Sequence, residues 1–170
     1  MLLVEGDNAS FLYDLSRPEA SETSRRNTNL FQTVIRQRAN EVPFAEHLIH
    51  RTDKGHMVRS KSELVIANKL FAMGLGDKYE YERPVEGRVA LGLVHPDFSF
   101  VDPSGDLIIW EHLGMLSSPE YEKGWRWKRE WYAKNRFILG ENLFTTEDDD
   151  RGGLDSNALQ VVAERIMGLI

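Results

Sequence analysis

His95-Pro96-Asp97-Phe98-Ser99-Phe100-Val101-Asp102-Pro103-Ser104-Gly105-Asp106-Leu107-Ile108-Ile109-Trp110-Glu111-His112-Leu113-Gly114 is the stretch that decides the fold. It reads as two apolar strands, Phe98 to Val101 and Leu107 to His112, joined by turn chemistry at residues 102–106. Pairing Val101 with Leu107 across a five-residue loop and counting back sets Asp97 opposite Glu111. Opposed residues of an antiparallel pair lie about 4.5–5.5 Å apart at Cα, so the two carboxylates can share one ion. A loop one residue shorter would shift the register and need a bulge to restore it. Acids inside strands this apolar are costly unless paired, and a divalent metal is the partner that best fits. The second strand is apolar on both faces, with Leu107, Ile109 and Glu111 on one and Ile108, Trp110 and His112 on the other. That pattern predicts a central strand covered on both sides.

Outward from the hairpin, Ser60 to Met73 reads as a helix. Ser60-Lys61-Ser62-Glu63 matches a capping box, and Gly74 and Gly76 supply the stop. A capping glutamate is ordinarily structural and exposed. Glu63, however, has Ile66, Ala67 and Leu70 at i+3, i+4 and i+7, so it lies at the inward face and can point at the sheet. Lys78 to Val85 alternates and reads as a strand, Glu86-Gly87 as a turn, and 88–94 as a connector or weaker strand. After the hairpin, Pro119 opens a long helix over 118–137, capped by Ser117 or Ser118. Asn142 to Thr146 is a short strand, and Asp155 caps a last helix with the stripe Leu159, Val162, Ile166 and Leu169. Towards the start, a helix is expected over Thr28 to Asn40 and a short second one over Ala45 to His50, with a loop at residues 51–55. Residues 1–50 read as an N-terminal helical extension and 51–170 as the core. The element order defines an α/β fold with a mixed sheet of about four strands flanked by helices.

The helix over 118–137 sets Tyr121, Trp125, Lys128 and Tyr132 on one face. Lys128 either snorkels past an aromatic core face or delivers its ammonium to the acids. Between Lys123 and Arg136 there are six basic residues and one acid, Glu130. Basic residues interleaved with tryptophan and tyrosine suit a nucleic-acid backbone, and suit an ordinary amphipathic helix equally. His47, His50 and His56 are loosely spaced and read as surface residues, and His112 points away from Glu111.

The chain has 170 residues and a net charge of -6, with no cysteine. That excludes disulfides, thiolate catalysis and cysteine-bound zinc, and fits a cytoplasmic setting. No apolar run of about 18 residues is present, so no membrane helix is expected, and the first residues lack the basic start of a signal peptide. The net negative charge disfavours a protein that coats nucleic acid but not an enzyme with a local basic groove.

With these residues in hand, the chain resembles the PD-(D/E)XK, or restriction-endonuclease-like, nuclease superfamily. The resemblance rests on Arg59-Ser60-Lys61-Ser62-Glu63, Tyr79-Glu80-Tyr81-Glu82, Pro96-Asp97-Phe98, Trp110-Glu111-His112-Leu113-Gly114 and Trp125-Arg126-Trp127-Lys128, in the superfamily's order, over about residues 51–168. It implies a metal-dependent nuclease, a phosphodiester hydrolase acting on DNA, in a branch often fused to larger proteins. By position, Asp97 matches the strand aspartate, Glu111 the second acid and Glu63 the first-helix glutamate. The pattern's lysine falls at Leu113, which departs from it; Lys128 is the candidate replacement from the following helix. The resemblance implies that Asp97, Glu111 and the His112 carbonyl bind Mg²⁺ or Mn²⁺, with Glu63 completing the shell or orienting the water. Arg59, Lys123, Arg126, Arg129 and Lys134 would contact flanking phosphates. Two rival readings remain. One is a catalytically silent nucleic-acid or protein-binding module on the same fold, and the other is a metal hydrolase of small phosphate esters.

Overall fold

A computed structural model describes residues 47–114, 116–149 and 151–170. The helix expected over Thr28 to Asn40, and nearly all of the extension assigned to residues 1–50, lie outside the described residues. Where description begins, the expectation of a helix through His50 fails. His50–Arg51 is strand β1 and pairs antiparallel with β2, Met57–Val58, around the loop at residues 52–56.

Helix α1 spans Lys61–Ala72 and starts as the sequence requires. Ser60 Oγ accepts from the Glu63 N–H at 3.0 Å, and the Glu63 carboxylate accepts from the Ser60 N–H at 3.4 Å. Such a cap is worth about 1 kcal/mol. Burying a side chain the size of Trp110 or Phe98 contributes roughly 2–3 kcal/mol, so the cap fixes where α1 starts while the core holds it down.

The expected strand over 78–85 is shorter. Strand β3, Tyr79–Tyr81, stops because Glu82 adopts a left-handed backbone with φ 49°. The chain then forms a separate hairpin of β4, Val85–Glu86, and β5, Leu93–Val94. Glu86 is therefore a strand residue, and the turn begins at Gly87, whose N–H donates to the Gly92 carbonyl at 2.9 Å. A Cβ at Gly87 would stand 1.9 Å from the Ala90 oxygen, so only glycine fits.

Strands β6, Phe98–Val101, and β7, Leu107–Leu113, pair with Val101 opposite Leu107 and Phe98 opposite Trp110, which is the expected register. Helix α2, Pro119–Lys134, ends one turn earlier than the apolar pattern suggests, because Asn135 caps it and Arg136 turns left-handed at φ 67°. Strand β8, Leu143–Glu147, returns parallel to β7. Helix α3, Ser156–Met167, starts at Asp155, which accepts from the Asn157 and Ala158 N–H groups.

The main sheet has the order β3-β6-β7-β8 and is mixed. On one face Phe98, Phe100, Trp110 and Phe144 pack against Ile66 and Leu70 of α1 and Leu159 and Ile166 of α3. On the other, Ile109 and Leu143 pack against Trp131 and Tyr132 of α2 and against Val85 and Val94. The protein is thus α/β, with a four-stranded mixed sheet between helices. β7 is central, and everything from Ile108 to Leu113 is buried. Among the described residues no helix is long and apolar enough to cross a membrane.

Candidate active site

The hairpin register carries the two acids to one end of the sheet. The His112 N–H donates to Asp97 Oδ2 at 2.7 Å, and the Glu82 N–H donates to the Asp97 carbonyl at 3.2 Å. Glu111 shares its sheet face with Ile109, facing α2, and is 3% exposed. Burial pushes the Asp97 carboxyl well above the usual carboxylate range, and the charges of Glu111 and Glu63 push it further. Two acids whose charges act on one another disfavour joint ionisation unless a cation joins them.

Helix α2 brings such a cation. Lys128 Nζ lies 2.6 Å from Glu111 Oε1 and donates to the His95 carbonyl at 2.9 Å. Tyr132, one turn further on, donates its hydroxyl to the same Glu111 oxygen. Tyr121, two turns before Lys128, approaches the His112 carbonyl at 3.4 Å. The aromatic and basic stripe is therefore both a core face and a site wall: Trp131 and Tyr132 anchor it and Lys128 reaches through to the acids.

Glu63 takes a third position, from the α1 side. Its Oε2 accepts from the Tyr81 hydroxyl at 2.6 Å and from the Arg59 N–H at 2.9 Å, besides closing the capping box. Its charge reaches Asp97 and His112. Arg59 donates from Nη2 to Glu82 at 2.8 Å, at the rim of the same cluster. Of the other basic candidates, Arg126 pairs with Glu122 at 2.7 Å on the solvent face of α2. Lys123, Arg129 and Lys134 are exposed on that helix.

Two acids near this site have no role assigned from the sequence. Glu82 resembles any charged strand residue, and only its left-handed backbone, which ends β3, turns it inward; it is buried at 9% exposure. Burial raises its carboxyl to about 7, although Arg59 opposes the shift. Native Glu82 therefore keeps its proton at pH values where the unfolded chain, near 4.5, has lost it. Stability from this group is fullest below that lower value and declines as pH rises through the upper one. Glu82→Gln is expected to flatten the fall in unfolding free energy across that window in urea titrations. An unchanged slope would show that the carboxyl is unperturbed.

The second is Asp148, just past β8, on the opposite sheet face. It accepts from the Ser62 hydroxyl at 3.1 Å and from His112 Nε2 at 3.1 Å. Trp110 Nε1 donates to Thr146 Oγ1 at 3.0 Å, and that hydroxyl lies 3.0 Å from His112 Nδ1. With Nε2 donating to Asp148, Nδ1 is the acceptor of the Thr146 hydroxyl. The network locks the His112 ring, and with it the backbone that holds Asp97. Burial lowers the His112 pKa despite Asp148 beside it. His112 does point away from Glu111. His56 is not a surface residue as expected; it packs against Tyr79 and Tyr81 and bonds Thr52.

Among the described residues no group of three or more His, Cys, Asp or Glu side chains is placed to hold a metal ion. The donor set nevertheless fits a hard cation. Asp97 and Glu111 offer carboxylate oxygens and His112 a carbonyl, and Mg²⁺ commonly takes one or two carboxylates, filling its shell with water and phosphate oxygens. Asp97 Oδ1 and Glu111 Oε2 make no hydrogen bond or ion pair among the described residues.

Comparison with known proteins adds one relative. The chain is 32% identical over 139 residues to "Uncharacterized protein MJ1519" of Methanocaldococcus jannaschii. The match covers 81% of this chain and spans 11% of that archaeal protein's length. No protein-family model matches the chain, and no solved structure matches it.

Proposed function

We propose that this domain is a divalent-metal-dependent nuclease with a restriction-endonuclease-like core that hydrolyses DNA phosphodiester bonds. The observation that carries the reading is the Lys128 ammonium, 2.6 Å from Glu111. It brings to the acid pair the positive charge that β7 lacks at Leu113. Asp97, Glu111 and the His112 carbonyl would hold Mg²⁺ or Mn²⁺. Such an ion supplies an activated water and neutralises charge on the phosphate. Lys128 uses two of its three N–H donors on Glu111 and the His95 carbonyl; the third is the donor for a phosphate oxygen as charge develops there. Tyr132 fixes the Glu111 carboxylate, and the locked His112 backbone fixes Asp97. Glu63 borders the acids and orients water, while Arg59, Lys123, Arg126, Arg129 and Lys134 hold flanking phosphates.

One observation favours a second reading. Lys128 and Tyr132 already pair with Glu111 Oε1, as they would in a silent binding module on this fold. Incubating the full chain with Mg²⁺ or Mn²⁺ and plasmid, linear duplex, single-stranded DNA or nucleotide esters separates the readings. The nuclease reading expects DNA cleavage that chelation abolishes. Salt-sensitive DNA binding without cleavage under either ion selects the silent module. Turnover of nucleotide esters alone selects a small-ester hydrolase.

A further inference from the structure

The outer face of α2 carries a side chain that the acid site does not use. Trp127 is 56% exposed, whereas Trp110 and Trp131 are buried and Trp125 packs against the core. Helical side chains lean towards the helix N-terminus, and Lys123 and Gly124 form the turn that precedes Trp127. Gly124 sits inside the helix, where glycine weakens it relative to any ordinary residue. Packing does not require it: a Cβ there would meet nothing within 4 Å.

The surroundings are positive. Lys123, Arg129, Lys134 and Arg136 are exposed on or just beyond α2, and the acids of the helix are Glu120, Glu122 and Glu130, of which Glu122 is paired with Arg126. This concentration of basic residues stands in a chain whose net charge is -6. Trp127 also directly precedes Lys128, whose side chain enters the acid site from the same turn of helix.

We propose that Trp127 is a stacking platform for an unpaired base of single-stranded DNA, with Lys123 and Arg129 holding the adjoining phosphates. The inference rests on the nuclease reading for the identity of the polymer and names its substrate class as single-stranded or locally unpaired DNA. A duplex keeps its base faces stacked on one another, whereas a single strand can offer one to an indole. An indole accepts any base, so the preference concerns strandedness rather than sequence.

The test uses the full chain in EDTA, a labelled mixed-sequence oligodeoxynucleotide and the same sequence as a duplex. Single-stranded DNA is expected to bind more tightly than duplex and to quench tryptophan fluorescence. Trp127→Leu is expected to lose most of that quenching and roughly tenfold or more in single-strand affinity, while Trp127→Phe retains part of it. Duplex affinity is expected to stay unchanged in both variants. Equal wild-type affinity for both forms, or unchanged single-strand binding by Trp127→Leu, overturns the proposal. Trp127-dependent quenching without cleavage under any divalent ion upholds the platform while removing the nuclease reading. Metal-dependent cleavage indifferent to Trp127→Leu removes the platform and leaves the nuclease reading standing.

Discussion

Asp97→Asn is expected to lose metal-dependent DNA cleavage by about 10³-fold or more while the protein becomes no less stable at neutral pH. The side chain keeps an oxygen for the His112 N–H, which now reaches Asp97 at 2.7 Å. What disappears is a negative charge that burial and Glu111 both oppose. A carboxyl whose native pKa is raised costs stability once the pH passes the unfolded value, so its neutral amide removes that cost. Urea unfolding and a cleavage assay on one preparation check both halves. Wild-type cleavage by Asp97→Asn would sink the nuclease reading. Lost cleavage with a lowered midpoint would mean that the aspartate serves the fold instead.

Lys128→Met is expected to lose most of the activity, with the opposite effect on stability. The Glu111 side chain is 4% exposed and would retain Tyr132 alone as its partner. Breaking a buried ion pair costs about 3–5 kcal/mol. The Lys128 side chain is 22% exposed, so water reaches the vacated position and the expected loss is smaller, about 2 kcal/mol. Cleavage is expected to fall on the order of 10²–10³-fold, as when a donor aimed at developing charge is removed. Adding Glu111→Gln to Lys128→Met is expected to recover much of the stability and none of the activity, since the amide can still accept from Tyr132. Undiminished turnover by the lysine variant would show that its ammonium has no part in the reaction.

Much of this site was legible because it depends on local rules. The capping box fixed the start of α1, and the five-residue turn fixed the hairpin register that sets Asp97 beside the Glu111 strand. Helical spacing put Lys128 and Tyr132 on one stripe, although it did not single out Tyr132 as a partner of Glu111. Glu82 and Asp148 were not legible as site residues, for a different reason. Glu82 turns inward through a backbone conformation with no residue-level signature, since glutamate is not a residue that favours φ 49°. Asp148 sits in an acidic stretch that reads as a solvated loop. Its role depends on Ser62, 86 positions away, which only the assembled fold brings within 3.1 Å. The β4–β5 hairpin was blurred likewise, because each strand is two residues long and too short for an alternating pattern.

The parallel pairing of β7 with β8 has a consequence for the order of assembly. Asp97 and Glu111 belong to a local hairpin with a tight turn, which closes a short loop. Lys128 belongs to the crossover between two parallel strands, and that connection settles only when the distant β8 has found its place. The shorter closure of the hairpin sets the expectation that the negative charges gather before their counter-charge arrives. The docking of α2 completes the sheet's second face and gives the acid pair its counter-ion in a single event, so the intact charge cluster is a property of the finished fold alone.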